Sequence, residues 1–144
     1  MPEFNEKAMK QFNENLITEF RANGGKALSG PFVNAPLMLL TTTGAKSGKP
    51  FTTPLVYTKD GDRMVIIASK GGFPKHPAWY HNLKSHPTTT IEVGKEKFQA
   101  KAVITKDPER QRLFDAQAKL MPTFNDYQKA TTRQIPVIVL ERIS

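Results

Sequence analysis

Residues 69–87, SKGGFPKHPAWYHNLKSHP, gather the only tryptophan, all three histidines, a glycine pair and three lysines into one stretch. Metal binding is the first chemistry such a set suggests. His76, His81 and His86 are each five residues apart. On a helix that step turns successive side chains by about 140°, so the three do not share a face. A zinc helix spaces two histidines four apart and adds a carboxylate. No Asp or Glu occurs between Asp62 and Glu92, and the chain has no cysteine. No metal site is expected. Hydrolytic catalysis has no support either: there is no G-x-S-x-G, and no carboxylate near a histidine in sequence to orient it.

A second stretch, TTTGAKSGKP, offers the parts of an anion cradle. It has glycine-freed amides, the Ser47 hydroxyl and the cations Lys46 and Lys49. The order of a Walker A loop is absent and no helix follows. Taken alone, the loop reads more readily as an ordinary hairpin turn kept soluble by lysine. In the first stretch, Ser69-Lys70-Gly71-Gly72 adds another loop with free amides and a cation. Trp79, Tyr80 and Asn82 follow it. A flat aromatic ligand needs apolar walls and a few fixed polar groups, and an anionic tail needs cationic loops. Packing in the core is the competing fate of a lone tryptophan.

These residues must be positioned by recognisable elements. Phe4, Ala8, Phe12, Leu16 and Phe20 recur every four residues, which predicts an amphipathic helix over 3–22, ended by Asn23-Gly24-Gly25. PLMLLTTT reads as a buried strand. FTTPLVYTK and RMVIIASK flank Asp60-Gly61-Asp62, a hairpin, with Pro54 marking an edge or a bulge. A short helix is expected between Pro77 and Pro87. TTTIEV and EKFQAKAVIT form a second hairpin around Gly94-Lys95. DPERQRLFDAQAKL predicts a helix with Asp107 as N-cap and Pro108 in its first position. IPVIVLERI closes the chain as a strand. Hairpin-linked strands with interspersed helices argue for α+β around an antiparallel sheet or small barrel, not a doubly wound fold.

The 144 residues suggest a helix-and-linker segment, 1–30, and one main domain, 31–144. The net charge is +8, and the whole excess lies after residue 30, which favours anionic partners. A basic small barrel that binds nucleic acid is an alternative reading. Its strands, however, carry Val, Ile, Leu and Thr where such binders interleave aromatics, so no nucleic-acid partner is expected. No apolar run approaches a bilayer's thickness, and the N-terminus lacks a signal peptide's apolar core. The expected location is the cytoplasm. Peripheral attachment at the inner face of the membrane through the N-terminal helix is a weaker reading.

Together, LLTTTGAKSGKPFTTPLVY, VIIASKGGFPKHPAWYHNLKSHP and YQKATTRQIPVIVLE resemble the deazaflavin-dependent nitroreductase family, which uses coenzyme F420. The resemblance runs from about Pro36 to Leu140. It implies a mostly antiparallel split β-barrel, similar to the flavin-mononucleotide-binding barrels, behind an N-terminal amphipathic helix. It implies reduced F420 as cofactor, with hydride transfer to a quinone, an enone or a nitro compound. By position, Lys46, Ser47 and Lys49, then Phe51, Thr52, Thr53, Pro54, Leu55 and Val56, would hold the tail and phosphate. Ile67, Ala68, Ser69, Lys70, Ala78, Trp79, Tyr80, His81 and Asn82 would hold the deazaflavin. Met121, Phe124 and Tyr127 would line the substrate pocket, with Tyr127 and Ser69 as the catalytic hydrogen-bond donors. Where the family commonly has arginines, this chain has Ala45 and Phe51. On this reading, replacing Trp79 or Lys46 by alanine weakens cofactor binding with little loss of fold. A homodimer is a further expectation, since split barrels often pair through their sheets. The same fold can instead hold flavin mononucleotide, haem or a fatty acid.

Overall fold

The computed structural model describes residues 6–28, 33, 35–69 and 76–143. Residues 1–5 of the expected first helix, and Lys70 with the Gly71-Gly72 loop, lie outside them. The elements are α1 (Glu6–Ala22), β1 (Leu37–Thr43), β2 (Pro50–Val56), β3 (Thr58–Asp60), β4 (Arg63–Ile67), α2 (Ala78–Ser85), β5 (Thr88–Val93), β6 (Glu96–Ile104), α3 (Glu109–Leu120), α4 (Thr123–Lys129) and β7 (Val137–Arg142).

The seven strands form one antiparallel sheet in the order β2-β1-β5-β6-β7-β4-β3. Strands β2 and β3 stand at its opposite edges, yet Tyr57 alone separates them in the chain. One residue spans less than about 8 Å, so the sheet must curl until its edges meet at that corner. The result is a split β-barrel, as expected. FTTPLVYTK is therefore two strands and not one. Tyr57 makes the corner, with its amide bonded to Pro36 O at 3.1 Å. Pro54 falls on the edge strand β2, opposite Leu39, where its missing N–H costs no ladder bond on the open side.

Alternation along the strands sorts the core. Met38, Leu40, Met64, Ile66, Ile138 and Leu140 belong to one buried cluster, which also takes Trp79, Tyr80 and Leu83 of α2. Their neighbours Val65, Ile67, Val137 and Val139 point the other way and pack under α3 and α4. Leu37 and Leu39 receive Leu16 and Phe20 of α1. Arg21 of α1 also pairs with Glu92 at 2.8 Å, but half of its side chain is exposed. Such a surface pair is worth at most about 1 kcal/mol. Burying Leu16 and Phe20 contributes roughly 1.5–3 kcal/mol each, so the apolar face holds α1.

Two further local expectations change. Helix α3 begins at Glu109, and Asp107 does not cap it. Its carboxylate accepts from Arg110 Nε at 2.9 Å and from Gln134 Nε2 at 2.9 Å instead, so both oxygens are engaged away from the helix amides, one of them by a charged donor. Residues 123–129, which the sequence left unassigned, form α4. Seven residues are too few to show a helical period.

Candidate functional site

The loop of residues 44–49 joins β1 to β2. Its own bonds shape it: Gly44 N donates to Lys49 O at 2.8 Å, Gly48 N to Gly44 O at 3.0 Å, and Lys49 N to Ser47 Oγ at 3.2 Å. A Cβ at Gly44 would meet Ser47 Oγ and the Phe51 ring at 2.5 and 2.9 Å, so a larger residue there would push both side chains aside. The amides of 44, 45, 48 and 49 are thus engaged within the protein, so the cradle does not offer a full set of free N–H groups. What the loop presents outward is charge. Lys46 and Lys49 are exposed, and neither has an ion pair among the described residues. Phe51 is 51% exposed, and the rest of β2 from Thr52 to Val56 is half-buried.

Asn82 connects this loop to α2. Its Oδ1 accepts from Ala45 N at 3.0 Å, and its Nδ2 donates to Thr42 Oγ1 at 3.0 Å. The two segments expected to grip a tail and a ring are therefore bolted together by one buried carboxamide. Trp79 is different. It is only 7% exposed and packs in the barrel interior, as does Tyr80 at 9%. Removing such an indole leaves a cavity, a change that costs about 3–5 kcal/mol. Trp79→Ala would therefore not spare the fold, and Lys46→Ala is the cleaner probe. Ala78 and His81 are exposed on the same helix.

The end of β4 brings Ile67, Ala68 and Ser69 to the rim. Ile67 shares an apolar cluster with Phe124, and Val56, Met121 and Tyr127 pack against it. The Tyr127 ring meets Phe124 edge-on at 5.5 Å. All three expected pocket residues thus stand together, with one residue each from β2 and β4. Ser69 Oγ makes no hydrogen bond among the described residues, and no hydrogen bond joins Ser69 to Tyr127.

Two residues missed by the sequence reading organise this rim. Arg133 donates to Ala68 O at 3.1 Å and Ser69 O at 2.7 Å, and its Nη1 lies 3.0 Å from His76 Nδ1. Burial lowers the pKa of Arg133, and that of His76 falls below its ordinary value through burial and then the charge of Arg133. The signal was present, since Arg133 opens RQIPV, but its partners lie 57–65 residues away. His76 precedes α2, so the helical rotation does not apply to it, and its ring stands 5.8 Å from that of His81. Among the described residues no group of three or more His, Asp or Glu converges.

A cavity of about 500 Å³ lies elsewhere, lined by Thr41, Thr43, Thr88, Thr90, His86 and others. None of the expected site residues lines it.

The sequence pattern of the F420H(2)-dependent quinone reductases matches residues 14–142. The chain belongs to that family. An F420H(2)-dependent quinone reductase of Mycobacterium tuberculosis is 47% identical over 110 residues, 74% of each chain. Among solved structures, an F420-H2 dependent reductase (FDR-A) superposes with a TM-score of 0.68 at 38% identity, covering 74% of this chain and 94% of the other. A second, described as a domain-swapped dimer, superposes with a TM-score of 0.70 at 32% identity, covering 95% and 100%. The F420H(2)-dependent quinone reductase family thus takes in all three segments from which the resemblance was drawn. It also extends to residue 14, within α1.

Proposed function

We propose that this protein is an F420H2-dependent oxidoreductase that reduces a quinone. The observation that carries the reading is one apolar surface, where the partly buried Val56, Met121 and Tyr127 lie over the buried Phe124 and Ile67, the last residue of β4 and two residues along the chain from Ser69. A planar, largely apolar acceptor suits that wall.

The residues present fit reduced F420. Its tail is anionic, and Lys46 and Lys49 stand exposed without an ion pair among the described residues. Ser47 adds a hydroxyl whose hydrogen remains free, since its oxygen is the acceptor for Lys49 N. Ala45 and Phe51 offer no guanidinium, so tail recognition here rests on point charges and not on bidentate pairs. When bound, reduced deazaflavin supplies the hydride. The rim at Ile67, Ala68, Ser69 and Ala78 would hold the ring. Trp79, Tyr80 and Asn82 would support it from beneath, and His81 would border it. The wall excludes water from the acceptor. A quinone gains negative charge on oxygen as it is reduced, and Ser69 and Tyr127 would be the hydroxyls that donate to it.

The relative described as a domain-swapped dimer supports a homodimer for this chain as well. No helix among the described residues is long and apolar enough to cross a membrane. A cysteine-free chain agrees with a reducing compartment such as the cytoplasm.

Fluorescence titration with F420 tests the site. Wild-type protein should bind, and Lys46→Ala with Lys49→Ala should weaken binding about tenfold or more, and more so at low salt. Equal affinity in the double variant would remove the tail from this loop. No binding by the wild type would remove the reading altogether.

A further inference from the structure

We infer that Arg133 is a positioning residue of this site: its guanidinium clamps the carbonyl end of β4 to the ring of His76 at the entrance to α2, and so sets where Ser69 stands. The clamp follows from topology. Strand β4 ends at Ile67, and beyond it the carbonyls of Ala68 and Ser69 need partners in a buried setting. Arg133 supplies both, at 3.1 and 2.7 Å, through two different nitrogens of one planar group. A lysine, a single rotatable ammonium, cannot hold that fork.

Arg133 is itself held. Its amide donates to Thr131 Oγ1 at 3.3 Å, and its carbonyl accepts from Gln128 Nε2 at 2.8 Å. Gln128 Oε1 accepts in turn from Ile135 N at 3.1 Å. Gln128 sits on α4 next to Tyr127, so the same network ties the pocket helix to the strand end that carries Ser69.

The third contact fixes a protonation state. A guanidinium only donates, so His76 Nδ1 must accept and the ring proton must sit on Nε2. A second proton removes that acceptor and sets two cations against each other. The groups facing His76 are Arg133 from the segment before β7, and Tyr80, His81 and Lys84 from α2. Among the described residues no carboxylate acts on it. Burial, Arg133, His81 and Lys84 all hold its pKa below the ordinary 6.5. The clamp is therefore intact above that value and is lost as pH falls from it through the lower folded value.

The link to turnover rests on the reductase reading, whereas the clamp itself is tested without cofactor. In nitrogen-detected NMR of the wild-type protein, His76 should be the Nε2–H tautomer. It should titrate below an ordinary histidine, and Arg133→Met should raise that titration. In menadione reduction by F420H2, Arg133→Lys should lower kcat about ten- to a hundredfold with KM for F420H2 changed less than about threefold. His76→Asn keeps an amide oxygen near the acceptor position and should lose the acid limb of the pH profile. The opposite tautomer, an unmoved His76 titration, or wild-type kcat and acid limb in Arg133→Lys would each overturn the inference. A wild-type protein that does not oxidise F420H2 would sink the reductase reading and the catalytic link together, while the tautomer and titration would still decide the clamp.

Discussion

Asn82 shows how much one side chain can set. It contributes two hydrogen bonds to partners 37 and 40 residues away, the one to Thr42 buried and the one to the exposed Ala45 partly so. Asn82→Ala strands Ala45 N–H and Thr42 Oγ1, a loss of about 1–3 kcal/mol measurable by urea denaturation. It should also free the loop that carries Lys46 and weaken F420 binding. Stability unchanged from wild type would contradict the assignment. The asparagine was visible in the sequence as part of W-Y-x-N-L, but its partners were not, because no local rule links residue 82 to residue 45. Trp79 is the converse case: the type left ligand wall and core packing both open, and the structure buries it in the core. On the edge strand β3, Asp60 lies between Arg112 and Arg63, whose hydrogen bonds lower its pKa from 3.8 to about 2. A folded value below the unfolded one stabilises above about pH 4, and the gain disappears as pH falls from 3.8 to 2. Asp60→Asn should therefore unfold at lower urea than wild type near neutrality, and the two midpoints should converge towards pH 2. A gap independent of pH would exclude this cause.

The elements themselves were mostly legible, because period and punctuation are local. Four-residue spacing found α1, apolar and β-branched runs between turn residues found the strands, and the glycines at 61 and 94 adopt the positive φ of 64° and 58° that their two-residue hairpin loops require. The failures fall where tertiary geometry decides. Nothing within FTTPLVYTK says that it must leave one sheet edge and begin the other. At Asp107, a salt bridge outcompetes a cap. Gly25 is a sharper case. It has φ 92°, and a Cβ there would lie within 2.6 Å of Gly94 N. The end of α1 and the β5–β6 hairpin approach so closely that only glycine fits. Gly25→Ala should destabilise the protein by roughly 2 kcal/mol or more, read from its melting temperature. If the melting temperature holds, α1 does not seat on the hairpin in this way.

At the scale of the whole molecule, the curled sheet places the ends of β2 and β4 and the α3–α4 corner on one apolar cluster, although these segments are far apart in sequence. The net charge of +8 forecast an anionic partner, and on the proposed reading the exposed cations of the 44–49 loop would receive it. Motifs spaced as in a known family revealed the cofactor before any coordinate did. The Arg133 clamp, which depends on residues from three elements, had to be seen in three dimensions. The claim that joins these scales is that the rim and wall pass a hydride from F420H2 to a quinone. Its most direct test is an anaerobic mixture of the purified protein, F420H2 and menadione, followed by the absorbance and fluorescence of oxidised F420. Both signals should return at a rate proportional to protein concentration and should stay flat when menadione is omitted. A return no faster than in the protein-free control, with F420H2 shown to be bound, would contradict the account.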